Sequence, residues 1–314
     1  MSDAAQAFAP VSMTRYERDF QGFADDLGAS WRRYGFAVVS DHGLDQTVID
    51  RALADAKAFF ALPHDAKMAY HEPGTGGARG YTPFGTEAAK DADVVDLKEF
   101  WHTGRDLPEG HPYRDFMRAN LDPREIPGFH RHVYGMFEAL DALGLKLLAA
   151  IARYLKLDDR FFDDTVSEGN SVLRLLHYPP VPADAPGVRA GAHEDINVIT
   201  LLLGAEEAGL QVKDRDGQWL PINPPPGAIV VNVGDMLQRL TNHVLPSTTH
   251  RVVNPAPERR GFSRYSTPFF LHFNPDYEIR TLESCVTADN PNRYPEPITA
   301  QDYLMQRLRE IRLL

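Results

Sequence analysis

Three side chains in the second half of this 314-residue chain have the types and spacing of a metal-binding face. They are His193 and Asp195, in Ala192-His193-Glu194-Asp195, and His250, which opens His250-Arg251-Val252. Residues i and i+2 of an extended strand point to one side, so an imidazole and a carboxylate two positions apart converge. A second imidazole from a later apolar segment completes a face of two histidines and one carboxylate. With its other positions open, that face suits non-haem Fe(II) chemistry with dioxygen. H-x-D alone is a weak signal in a chain with 12 histidines. The plain alternative is a hydrogen-bonded core histidine beside a turn aspartate.

Arg264 and Ser266 strengthen the pattern, because they too are i and i+2 on an apolar strand. If both face inward, the guanidinium needs an anion, since a buried unpaired charge is very costly. A guanidinium fork with a hydroxyl beside it fits a carboxylate. The competing expectation pairs Arg264 with an internal acid such as Asp235.

These residues need a scaffold. Tyr16, Phe20, Phe23, Leu27, Trp31 and Tyr34 recur at helical spacing and stop at Gly35. Phe36-Ala37-Val38-Val39 is a short strand, and a second helix runs from about Asp45 to Leu62, closed by Pro63. Residues 127–157 form a long amphipathic helix on which a sheet can rest. His130 and His132 fall on different sides of it and make poor co-ligands.

The glycine-rich stretch 74–80 is loop without a phosphate-cradling context. Tyr81, Phe84, Phe100, Trp101 and His102 lie in segments read as irregular, where they either plug a core edge or wall a substrate site.

Beyond Ser171 short apolar runs alternate with turns, including the hairpin signal Asp214-Arg215-Asp216-Gly217. That rhythm reads as a β-sandwich or jelly roll. A last helix spans about Thr299 to Leu313. The fold class is therefore α+β with a mainly β core. A composition shift near Asp164–Asn170 divides a helical N-terminal region (1–165) from a catalytic core (166–314), with both halves sharing one core.

The formal net charge of -11 argues against a nucleic-acid or anionic-membrane partner, which would need a basic face. One cysteine, Cys285, excludes an intramolecular disulfide and points to a reducing compartment. The N-terminus lacks a signal peptide's pattern, and no apolar run approaches membrane-spanning length. A cytoplasmic protein is expected. Composition does not reveal the oligomeric state.

Several motifs together resemble the Fe(II)/2-oxoglutarate-dependent oxygenases of the isopenicillin N synthase-like family. They are H-Y-P-P at His177–Pro180, A-H-E-D at Ala192–Asp195, G-L-Q-V at Gly209–Val212 and V-V-N-V-G-D at Val230–Asp235. L-P-S-T-T-H-R-V at Leu245–Val252 and R-Y-S at Arg264–Ser266 complete the set. G-F-A-V-V at Gly35–Val39 and H-G-L at His42–Leu44 look like that family's helical N-terminal region, so the resemblance covers nearly the whole chain.

The resemblance implies a double-stranded β-helix with Fe(II) on His193, Asp195 and His250. It implies 2-oxoglutarate held by Arg264, Ser266 and Tyr178, and O2 as the oxidant. Leu176 departs from the asparagine found there in many plant members. The implied reaction oxidises a small organic molecule by hydroxylation, desaturation or cyclisation while 2-oxoglutarate becomes succinate. R-x-S also occurs in iron oxidases of this fold that do not use 2-oxoglutarate, and a silent small-molecule-binding member is a third expectation. Arg79, Tyr81, Phe84, Phe100 and Trp101 are the expected substrate residues.

Overall fold

The computed structural model describes residues 8–75, 77–86, 96–180, 189–203, 209–254, 258 and 260–310. The described residues form fifteen strands. The first five are β1 (Val11–Ser12), β2 (Phe36–Ser40), β3 (Gly80–Thr82), β4 (Glu99–Gly104) and β5 (Val172–Tyr178). Next come β6 (Ala190–His193), β7 (Ile199–Leu203), β8 (Leu210–Lys213), β9 (Trp219–Pro221) and β10 (Ile229–Val233). The last are β11 (His250–Val252), β12 (Arg264–Ser266), β13 (Pro268–Leu271), β14 (Glu278–Ile279) and β15 (Ile298–Thr299).

A large sheet runs β1-β2-β10-β7-β13-β5-β4-β3, with β12 also paired to β5. A smaller sheet runs β6-β11-β8-β9. The result is a jelly roll whose large sheet is backed by helices. Strands from residues below 165 lie at both edges of that sheet, and strands from residues above 165 fill its middle.

Strand alternation divides the large sheet into two chemically different faces. Ala37, Val39, Ile199, Leu201, Ile229, Val231, Phe269, Leu271, Leu173 and Leu175 turn to the helices and join the main apolar core. The long helix Phe129–Tyr154 lies against them, with Phe137 edge-on to Phe269 at 5.1 Å between ring centroids. The helix Phe20–Tyr34 is tied to the same face by Trp31, whose indole N–H donates to the Val231 carbonyl at 3.0 Å.

The opposite face looks toward the small sheet. At one end Phe36, Val38 and Val230 pack against Ala190, Leu210, Val212 and Val252. The rest of this inner face carries Asn232, Thr200, Phe270, Arg174, Leu176 and Tyr178, which look into the space between the two sheets, the chamber of the site.

Most expected elements are present. The helix from Tyr16 is broken into Arg15–Arg18 and Phe20–Tyr34, and Gly35 ends the second at φ 70°. Asp45 caps Gln46–Phe60 by accepting from the Thr47 N–H at 2.8 Å. The closing helix is seen over Ala300–Glu310, and residues 311–313 of its expected span lie outside the described residues. The segments around Tyr81 and Trp101 are a correction, because they are strands β3 and β4 of the large sheet and not irregular loops. All six residues of β4 are buried, so it shows no polar–apolar alternation to read.

Candidate metal centre and adjoining chamber

His193 is the last residue of β6 and His250 the first of β11, and the two stand directly opposite each other in the ladder. Directly opposed side chains on one face are near neighbours, and the two ring centroids lie 4.4 Å apart. Asp195 sits just past the end of β6, so strand periodicity by itself does not aim it. Its carboxylate nevertheless closes the group: Oδ1 is 3.7 Å from His193 Nε2 and 3.8 Å from His250 Nε2. One donor atom from each of the three residues fits within a span of 4.8 Å.

The surrounding hydrogen bonds decide which atoms are left for a metal. His193 Nδ1 meets the Gly191 carbonyl at 2.7 Å, and His250 Nδ1 meets the Thr248 carbonyl at 3.1 Å. A carbonyl can only accept, so each Nδ1 carries the proton and each Nε2 keeps a free lone pair. Asp195 Oδ2 accepts from the Thr200 hydroxyl at 2.5 Å and from Asn232 Nδ2 at 2.8 Å, which leaves Oδ1 open. Asp96, ion-paired to Lys98 at 2.8 Å, accepts from the Gly191 N–H at 3.0 Å and so steadies the carbonyl that orients His193.

The electrostatics favour the ligating forms. Desolvation, together with the neighbouring His250, lowers the His193 pKa below its ordinary value. Burial works to raise the Asp195 pKa. The two imidazoles and the Thr200 and Asn232 hydrogen bonds outweigh it and hold the carboxyl below its ordinary value. Two imidazoles presenting Nε2 and one ionised carboxylate, each fixed by outer hydrogen bonds, fit a divalent iron with open positions.

Arg264 and Ser266 on β12 are buried, at 4% and 5% exposure, whereas Tyr265 between them faces the other way onto His177. Arg264 stands opposite Tyr178, its guanidinium carbon 5.1 Å from the ring centroid, and Ser266 stands opposite Leu176. The expected pairing of Arg264 with Asp235 is not what forms, since Asp235 pairs with Arg307 of the closing helix at 3.1 Å.

The expected substrate residues divide. Phe100 is on the chamber face, packed with Leu176 and Tyr178, and Arg79 also reaches that face. Tyr81 and Trp101 do not. The pleat turns both to the helix-backed core, where Tyr81 donates to Glu99 at 2.5 Å and Trp101 packs on Phe59. Phe84 is half exposed. His177, by the same alternation, bonds Glu99 at 2.7 Å and Ser263 at 3.0 Å on the outer side.

Sequence reasoning missed Thr200, Asn232, Arg174, Phe270 and His272. Thr200, Asn232 and Arg174 each interrupt an apolar strand, and His272 directly follows one, where a buried polar group calls for a partner.

A jelly roll whose two sheets enclose a face of two histidines and one carboxylate defines a mononuclear non-haem metal protein. A family model described as the 2OG-Fe(II) oxygenase superfamily matches residues 169–273. A second, described as non-haem dioxygenase in morphine synthesis N-terminal, matches residues 10–125. A 2-oxoglutarate-Fe(II) type oxidoreductase of Emericella nidulans is 36% identical over 281 residues, covering 85% of this chain and 78% of that protein. A proline hydroxylase of Petromyces alliaceus is 35% identical over 303 residues, covering 92% of this chain and 93% of that protein.

Among crystal structures, a 2OG-Fe(II) oxygenase family protein from Caulobacter crescentus superposes with TM-score 0.92 at 65% identity, covering 97% of this chain and 99% of that one. A full-length Neurospora crassa protein, crystallised in complex with alpha-KG and thymine, superposes with TM-score 0.85 at 28% identity, covering 96% of each chain. The chain belongs to the Fe(II)/2-oxoglutarate-dependent oxygenase superfamily. It is a dioxygenase that uses Fe(II), 2-oxoglutarate and O2 on a small-molecule substrate. Among the described residues, no helix is long and apolar enough to cross a membrane.

Proposed function

We propose that His193, Asp195 and His250 hold the iron and that Arg264, Ser266 and Tyr178 receive the distal carboxylate of 2-oxoglutarate. The enzyme then oxidises a small organic molecule bound against the Arg79 and Phe100 side of the chamber, in the cytoplasm. The observation that carries this reading is the orientation of the donor set, with two Nε2 lone pairs and Asp195 Oδ1 left open by the hydrogen bonds around them. Iron and 2-oxoglutarate together supply the oxidising chemistry, in which O2 is reduced as the cosubstrate is decarboxylated to succinate.

The protein's residues do the positioning. Gly191 and Thr248 fix the imidazole tautomers, and Thr200 and Asn232 hold Asp195 ionised and turned inward. Arg264, buried beside Tyr178, carries a guanidinium fork whose geometry matches a carboxylate. Apolar packing around Phe100, Leu176 and Tyr178 excludes water from that side.

Anaerobic addition of Fe(II) and 2-oxoglutarate should give a visible charge-transfer band that His193→Ala abolishes. Arg264→Ala should weaken 2-oxoglutarate binding by about 2–5 kcal/mol while iron binding is kept. Unchanged 2-oxoglutarate affinity in that variant rejects the clamp.

A further inference from the structure

The inner face of the large sheet has a second cationic end. Asn232, Thr200, Phe270, Val172 and Gly104 stand opposite one another in a single row from β10 through β7, β13 and β5 to β4. One end of this row holds Asp195 through Asn232 and Thr200. At the other end the wall residue has no side chain, and a Cβ on Gly104 would collide with the guanidinium of Arg79. Arg79 therefore occupies the place on the chamber face that a β4 side chain would take. With strands about 4.8 Å apart, the row sets it roughly 14 Å along the sheet from Thr200.

Arg79 is 2% exposed. Its Nη1 donates to the Ala78 carbonyl at 2.7 Å, while Nε and Nη2 make no hydrogen bond. The acid whose field it feels, Asp106, is engaged by Asn120 at 2.8 Å and His130 at 2.9 Å instead. Burial lowers the Arg79 pKa only to about 10, so the side chain is charged near neutral pH.

His272 lies one residue past the end of β13, between Leu271 and Phe273, which both turn to the helix-side core and leave it to the opposite side. It is buried, its Nδ1 has no partner, and it lies in the fields of both Asp195 and Arg79. Nε and Nη2 of a guanidinium are the parallel donors that meet both oxygens of one carboxylate. Leaving that edge unanswered in a dry interior is costly.

We propose that Arg79, assisted by His272, binds a carboxylate of the substrate, so that this enzyme oxidises small carboxylic acids. The acid group is anchored at the Gly104 end of the row, and the carbon to be oxidised points along Phe270 toward Asp195. The site is distinct from the cosubstrate clamp, because Arg264 stands opposite Tyr178, at the far end of β5 from Val172 and about 20 Å away along the strand. One guanidinium edge and a neutral imidazole match a monoanion better than a phosphate dianion. The proposal rests on the reading above that Arg264 and Ser266 hold 2-oxoglutarate.

The test is anaerobic calorimetric titration of the full chain loaded with Fe(II) and 2-oxoglutarate. The probes are benzoate, pyridine-3-carboxylate and L-proline, each paired with its amide, together with phenyl phosphate. At least one acid should bind about thirtyfold or more tightly than its amide, in line with a charge-assisted bidentate contact. Arg79→Gln should erase that preference and leave 2-oxoglutarate affinity unchanged.

Absence of any acid preference, its survival in Arg79→Gln, or stronger binding of phenyl phosphate overturns the proposal. If Arg79→Gln does not fold, His272→Gln should weaken the same preference, and the wild-type acid–amide comparison stands without either variant. The charge-transfer band reports separately on the iron and cosubstrate assignment. Its absence rejects that assignment, whereas a normal band with no acid preference rejects the Arg79 proposal alone.

Discussion

Replacing Thr200 by valine tests how far the metal face depends on residues that never touch the metal. The exchange keeps the β-branched shape at a site with 3% exposure. It deletes the 2.5 Å hydrogen bond to Asp195 Oδ2 and leaves Asn232 as that oxygen's remaining donor. It also removes an acceptor from Asn197 Nδ2, which keeps the Ile199 carbonyl at 2.9 Å, so the fold loses little else.

A hydrogen bond to a charged acceptor is worth about 1.5–3 kcal/mol. Loss of an outer partner of a metal ligand lowers metal affinity by about 10- to 100-fold. Fe(II) affinity, measured anaerobically by chelator competition, should therefore fall by about that factor in Thr200→Val. Thr200→Ser, which keeps the hydroxyl, should stay near wild type. Equal iron affinity in all three proteins would show that Asp195 is oriented by something other than this hydrogen bond.

Three further outcomes follow from the same geometry. The His272 pKa is pushed down to about 4 by burial, below its ordinary 6.5, so the folded state binds fewer protons than the unfolded chain across that window. Metal-free protein should thus hold this contribution above about pH 6.5 and lose up to about 3 kcal/mol of it as pH falls toward 4; urea unfolding against pH should show a flatter slope in His272→Phe. Gly35→Ala places a Cβ at φ 70° and 2.6 Å from the Pro246 carbonyl oxygen. Thermal unfolding should register a loss of more than about 1 kcal/mol, and iron affinity should drop with it, because this loop carries the Thr248 carbonyl that orients His250. Trp101→Leu should lower stability by about 2–4 kcal/mol through lost packing, yet leave the rank order of substrates unchanged in a succinate-release assay, since Trp101 faces the helices.

The chemistry of the metal face was legible because it depends on residue types and short spacings. The common direction of Arg264 and Ser266 was legible for the same reason: both sit within one three-residue strand, and the pleat turns them the same way. The long helix and the capped helix from Gln46 were legible for a related reason, since periodicity and capping are local. Tyr81 and Trp101 were misplaced because a strand buried on both faces has no alternation to reveal which side is the chamber. His272 and Arg79 went unread as a pair because the residues that bring them near each other come from β3, β4 and β13.

By itself the chain's sequence determined which atoms are able to ligate, which turns separate the strands and which helix face is apolar, all of them matters of covalent order over a few residues. Only the tertiary structure decided that His193 and His250 stand opposite each other, that Thr200 and Asn232 lock Asp195, and that Gly104 yields its place to Arg79. Those outcomes rest on ladder register between distant segments, where shifting a pairing by one residue turns every side chain to the other face.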